Sequence, residues 1–133
     1  MGTLILDTSV AVALEQGVPS VVSAVTGHHV ILPAVVLAET LTATWLAKDD
    51  DQRQRRRRLT QLLEDSTELA PFGAREADAL AELRSFCLVN GKKRGQYDLM
   101  IAAHAVAARG TLLTRDRRAR FEELPGVAVE YFD

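Results

Sequence analysis

Four carboxylates stand where a carboxylate needs a reason: Asp7, Glu39, Asp98 and Asp116. Asp7 closes the apolar run Leu4-Ile5-Leu6 and is followed by Thr8 and Ser9, which suit a helix cap or turn. Asp116 repeats the arrangement just beyond Leu112-Leu113-Thr114. Glu39 lies inside Ala34-Val35-Val36-Leu37-Ala38-Glu39-Thr40-Leu41, with no lysine or arginine within one helical turn. An acid at such a position is at least partly buried, and buried acids need a partner, either a metal or a distant arginine. Asp98 opens an apolar helix and shares its face with Ile101, Ala102 and Ala105. Each acid alone has a plain reading as a cap or a solvent-edge side chain. Only their convergence would carry chemistry.

Convergence has an electrostatic consequence. Like charges about 4 Å apart repel by roughly 4 kcal/mol at an effective dielectric near 20, so a cation must hold such acids or some must be protonated. With oxygen ligands alone, and no cysteine or histidine at ligand spacing, the cation is Mg²⁺ or Mn²⁺. Such a centre keeps waters and open positions for phosphate oxygens, which suits phosphodiester hydrolysis.

The elements that must position these acids are legible. Short apolar runs at Leu4–Leu6, His29–Leu32 and Thr111–Thr114 read as buried strands, Glu68–Ala70 as a short edge strand, and 127–131 as a last strand. Helices are expected over Ser9 to about Gln16, Ser20–Thr26, Ala34 to about Ala47, a basic helix capped by Asp49-Asp50-Asp51 and running to Leu63, and Ala74–Leu88. Asp98 is expected to cap or begin a helix through Arg109, and one short helix spans Arg117–Leu124. Strands alternate with helices at crossover spacing. The predicted fold is α/β: a small parallel sheet of about four to five strands with helices on both faces, one domain over residues 1–133. Parallel strands share their carboxyl edge, so Asp7 and Asp116 become neighbours if their strands are adjacent.

Composition bounds the rest. Of 133 residues, 47% are hydrophobic and 26% charged, which is globular rather than disordered. Cys87 is the only cysteine, so no disulfide framework exists within one chain, and a reducing cytoplasm is expected. No leader pattern or membrane-length apolar run is present. The net charge of -2 advertises no polyanionic partner, yet basic residues cluster locally. Five arginines fall within Arg53–Arg58, spread around most of a helix circumference, so they do not all face one ligand; a solvated surface is the default, and an RNA or antitoxin contact is the alternative. Lys92, Lys93 and Arg94, on a mobile loop bracketed by Gly91 and Gly95, adjoin Asp98 and are better placed to guide phosphate. His104 should point off the acidic face, Cys87 should be a buried small hydrophobe, and Trp45 should pack or meet a partner.

Four segments together carry a resemblance: Leu-Asp-Thr-Ser at Asp7, Val-Leu-Ala-Glu at Glu39, Tyr-Asp-Leu-Met-Ile-Ala-Ala-His-Ala at Asp98, and Leu-Leu-Thr-Arg-Asp at Asp116. In order, spacing and total length the chain resembles the PIN-domain nucleases, and among them the VapC-type toxins of bacterial toxin–antitoxin modules. The resemblance implies a Mg²⁺- or Mn²⁺-dependent endoribonuclease, held inactive by a cognate antitoxin protein and often a homodimer, with no membrane partner. It implies that Asp7, Glu39, Asp98 and Asp116 bind the metal and its water, and that the hydroxyls of Thr8 and Thr114 support the acids. Lys92, Lys93, Arg94 and Arg115 become candidate RNA contacts. Some members carry a further acid shortly after the fourth; here Arg117, Arg118, Ala119 and Arg120 fill that stretch.

Three rivals use the same residues. A metal-dependent DNA nuclease needs the same acids, but nothing here resembles the helical clamp such enzymes add. A phosphotransferase with Asp7 as nucleophile usually has a second aspartate two positions on, where this chain has Ser9. A non-catalytic α/β binding module would use the acids as caps and the basic runs for a partner.

Overall fold

The structure is a computed structural model that describes residues 2–132. It is built around β1 (Thr3–Leu6), whose Leu4, Ile5 and Leu6 are buried because neighbouring strands flank it and helices cover it. β1 pairs in parallel with β2 (His29–Pro33) on one side and with β4 (Thr111–Thr114) on the other. β3 (Glu68–Ala70) and β5 (Ala128–Tyr131) form the edges, giving the all-parallel order β3-β2-β1-β4-β5.

The chain winds outward in one direction from β1 through β2 to β3, then returns past its start to β4 and β5. The order therefore reverses between β1 and β4. With right-handed crossovers, this places α1 (Thr8–Glu15), α2 (Pro19–Val25), α3 (Ala34–Trp45) and α4 (Asp50–Ser66) on one face of the sheet. It places α5 (Ala74–Val89) and α6 (Gln96–Ala108) on the other. A reversal of this kind opens a crevice at the carboxyl ends of the strands. Asp7 and Asp116 flank it.

Sequence patterning and structure part company in a few places. Asp98 does not cap α6: Gly95 precedes the helix, and Asp98 sits in its first turn, where a carboxylate meets the positive end of the helix dipole. The stretch 117–124 is not one helix but two 3₁₀ turns, Arg117–Ala119 and Phe121–Glu123. Arg120 lies between them at φ 49°, a left-handed conformation that no α-helix accommodates. The loop from Gly91 to Gly95 is anchored rather than loose. Lys92 N–H donates to the Cys87 carbonyl at 2.9 Å, and Glu123 holds the Arg94 guanidinium at 2.5 Å and Lys92 Nζ at 3.5 Å. Among the described residues no single helix is long and apolar enough to cross a membrane.

Candidate active site

Asp7 is 4% exposed and accepts three hydrogen bonds. Oδ1 takes one from Ser9 Oγ at 2.6 Å and one from the Val10 amide at 3.0 Å, the geometry of a helix N-cap. Oδ2 takes the third from the hydroxyl of Thr114, on the neighbouring strand. The backbone completes the clamp, since Asp7 N–H donates to the Leu113 carbonyl at 3.2 Å. Asp7 is thus a cap and a fixed carboxylate at once.

The same hydroxyls reach Asp116. Thr114 Oγ1 accepts the Asp116 amide at 2.9 Å, and Ser9 Oγ accepts the Arg115 amide at 3.0 Å. The turn after β4 is therefore stapled to the first turn of α1. Asp116 Oδ1 in turn accepts the Arg118 amide at 3.0 Å.

Asp98 and Glu39 approach from the helices. α3 packs against α6, and each carries one of the two acids. Both are half-buried. Burial raises the Asp98 carboxyl above the ordinary aspartate range, and the charges of Asp116, Asp7 and Glu39 push it further, with only Arg94 opposing. Burial likewise raises Asp7 by more than its three hydrogen bonds lower it, and Asp116 adds to the rise. The four acids share one electrostatic neighbourhood. They do not form a closed cage: among the described residues, no three Asp, Glu, His or Cys side chains stand close enough to hold one ion together.

A family model described as PIN domain matches residues 4–127. The chain belongs to the PIN-domain family. Its relatives include Ribonuclease VapC of Rickettsia bellii (strain RML369-C), 29% identical over 126 residues that span 95% of this chain and 93% of that protein. Ribonuclease VapC2 of Rickettsia felis (strain ATCC VR-1525 / URRWXCal2) is 28% identical over 106 residues, 80% of this chain and 76% of that protein. Among solved structures, VapBC2 from Rickettsia felis bound to a promoter DNA fragment has the same fold at TM-score 0.88 and 23% identity, covering 98% of this chain and 99% of that one. VapBC-5 from Mycobacterium tuberculosis, a member of the VapBC family of toxin–antitoxin systems, superposes at TM-score 0.73 with 29% identity, over 99% and 98% of the two chains.

The donor set of this PIN domain fits a hard divalent cation. All four side chains offer carboxylate oxygens, and two of them have raised pKa values that a nearby positive charge would relieve. Mg²⁺ in particular is bound through one or two carboxylates plus water and substrate phosphate, so a cage of three side chains is not required.

Two expected roles change in the PIN domain seen here. Thr114 does support an acid, but Thr8 does not: its Oγ1 is buried with no hydrogen-bond partner, in the wall of the groove that contains Glu39. Ser9 holds Asp7 instead, because an N-cap carboxylate reaches the hydroxyl two residues on. That Asp-x-Ser spacing was the signal available. The basic loop is also partly committed. Lys92 and Arg94 are drawn to Glu123, about thirty residues away, and no local pattern announces that pairing. Lys93 and Arg115 remain exposed. His104 is buried and packs edge-on against Phe72, with ring centroids 5.6 Å apart, and Cys87 is a buried thiol, both as expected.

Proposed function

We propose that this chain is the ribonuclease toxin of a type II toxin–antitoxin module, hydrolysing RNA phosphodiester bonds and neutralised by a cognate antitoxin. The relatives bear the names Ribonuclease VapC and VapC2, and the solved neighbours include VapBC2 and VapBC-5. The observation that carries the chemistry is the half-buried Asp98 carboxyl, raised first by burial and then by the charges of Asp116, Asp7 and Glu39. Asp7 and Asp98, on different elements, both feel the charge of Asp116 at the reversal of strand order, where an open α/β sheet places its ligands.

In this reading Asp7, Glu39, Asp98 and Asp116 would hold a divalent cation, Mg²⁺ or Mn²⁺. One or two of them would bind it directly and the others through its waters, one of which would be the attacking water. Bound there, such a cation would make a water easier to deprotonate and would favour charge on the leaving oxygen. Ser9, Val10 and Thr114 keep Asp7 in one rotamer, so that little reorganisation is needed as charge develops. Lys93 and Arg115 guide phosphate without reading sequence, and Arg94 moderates the charge on Asp98. The protein acts in the cytoplasm, as a homodimer.

The test is cleavage of RNA by purified protein with Mg²⁺, with Mn²⁺ and with a chelator, alongside Asp7→Asn. Cleavage should need the metal and fall at least about a hundredfold in the variant, the scale of losing one preorganised electrostatic group. Equal cleavage by Asp7→Asn, or in chelator, would remove this mechanism. Cleavage of DNA in preference to RNA would favour the DNA-nuclease rival.

A further inference from the structure

Helices α3 and α4 pack as a hairpin whose outer face carries an aromatic side chain among arginines. The guanidinium carbons of Arg57 and Arg53 lie 5.1 and 6.0 Å from the centre of the Trp45 ring. Even so, Trp45 is 66% exposed. An indole held by cation–π contacts yet open to solvent is oriented but not covered. The recess lined by Trp45, Arg57 and Gln54 continues through Gln54 into a second one lined by Arg55 and Arg58. Of the nearby acids, Asp49 caps α4 through the Gln52 amide and Asp50 pairs with Arg53 at 3.0 Å. The exposed Asp51 shares the second recess with Arg55 and Arg58, which outnumber it.

Arg56 points the other way. Its guanidinium donates to the Ala43 carbonyl and lines a groove of about 440 Å³ whose wall also contains Glu39 and Thr8. The arginines thus form a belt around α4, from the exposed indole to the groove that reaches an acid of the active site. A rigid partner cannot meet both sides of one helix, but a flexible polyanionic strand can follow the belt around it.

We propose that the Trp45 face of the α3–α4 hairpin is a docking surface for single-stranded RNA. An unpaired base stacks on the indole, phosphates lie along Arg55, Arg57 and Arg58, and the strand continues past Arg56 toward Glu39. This deepens the ribonuclease reading and rests on it for the identity of the polyanion. It takes up the RNA-contact alternative for this arginine run: what one face cannot present to one rigid ligand, a strand can collect in sequence.

Trp45 is the chain's only tryptophan, so its emission reports this surface alone. The full chain carrying Asp7→Asn, in chelator, is titrated with single-stranded RNA and, separately, with duplex RNA. Single-stranded RNA should quench the emission in a salt-dependent way, and duplex RNA much less, since paired bases do not stack on a side chain. Trp45→Ala should weaken binding of labelled single-stranded RNA by about tenfold, the scale of one lost base–aromatic stack. Arg55→Ala with Arg58→Ala should flatten the dependence of affinity on salt. Emission unmoved by RNA, or unchanged affinity in Trp45→Ala, overturns the proposal. So does an emission change produced by raising the protein concentration alone, which would mark the face as a contact between copies. Cleavage of the same RNA by the wild type is scored independently. Cleavage without quenching removes only the docking surface, and quenching without cleavage removes only the nuclease reading.

Discussion

The hydroxyl of Thr114 donates to Asp7 Oδ2 and at the same time accepts the amide of Asp116 at 2.9 Å. One side-chain oxygen therefore fixes two of the four acids, and it does so from a position that is 0% exposed. Thr114→Val keeps the shape and removes both bonds. The variant should lose about 1–3 kcal/mol of stability, the cost of leaving buried polar groups unpaired. Its metal-dependent cleavage should fall about tenfold or more, since Asp7 can then rotate. Thr114→Ser, which keeps the oxygen, should recover most of the activity. Kinetics and thermal melts of the pair decide the matter: equal activity in Val and Ser variants would show that the hydroxyl is irrelevant to the site.

Metal affinity should depend on pH in a range above that of an ordinary aspartate. Asp7 and Asp98 both have raised carboxyl pKa values, caused first by burial and then by neighbouring acids. Folded values above unfolded ones mean that their protonated forms favour the metal-free fold, and that this stability is lost as pH rises through the folded values. A divalent cation binds the deprotonated forms, so it should raise the melting temperature more at pH 7 than at pH 5. Asp116→Asn removes a charge that raises both groups. The midpoint for Mn²⁺ binding should then move to lower pH, even if the affinity at neutral pH also falls. Calorimetry across pH tests this; a midpoint that stays fixed in Asp116→Asn would break the coupling between Asp116 and the other acids.

His104 is 2% exposed, and its Nε2 is buried without a hydrogen-bond partner. Burial depresses its pKa, although the charge of Glu76 opposes this. The sign is opposite to that of the two aspartates. The neutral imidazole fits the fold, so the contribution is fully present above the unfolded value near 6.5 and is lost as pH falls below it. His104→Phe, which retains an aromatic ring beside Phe72, should flatten the fall in melting temperature below about pH 6.5. An unchanged acid limb in this variant would place the titrating group elsewhere.

Gly110 precedes β4 at a point where α6 turns into the sheet. A Cβ there would lie 2.3 Å from Ile5 Cδ1 and 2.7 Å from the Thr3 carbonyl oxygen. The Ile5 tip can rotate away, but the backbone of the central strand cannot. Gly110→Ala should destabilise the protein by about 1–3 kcal/mol or more through overpacking. Denaturant unfolding reads the loss directly, and wild-type stability in the variant would mean that the β1–β4 region yields more easily than its burial implies.

How far this protein is legible without its fold depends on the range of the interaction concerned. Local patterns sufficed for β1, for the edge strand Glu68–Ala70 and for the run of helices, because short apolar stretches, capping acids and glycines act within a few residues. The order of Asp7, Glu39, Asp98 and Asp116, each in its own motif, was enough to announce the PIN-domain family. Where local cues compete, they misled. Asp98 had the chemistry of a cap but lies inside its helix, and 117–124 had the spacing of a helix that Arg120 interrupts.

Other features required three dimensions because they join residues far apart in the chain. Pairing of β1 with β4 brings Thr114 to Asp7 across 107 positions, and Glu123 draws Lys92 and Arg94 out of the basic loop. The Asp-x-Ser spacing permitted a bond from Ser9, but only the cap geometry gives Ser9 the bond to Asp7 and leaves the Thr8 hydroxyl unpaired. The amino-acid order determined which acids are present and what chemistry their oxygens allow. Only the tertiary structure decided how they are held, because burial, mutual charge and hydrogen bonding arise between elements that meet solely in the folded chain.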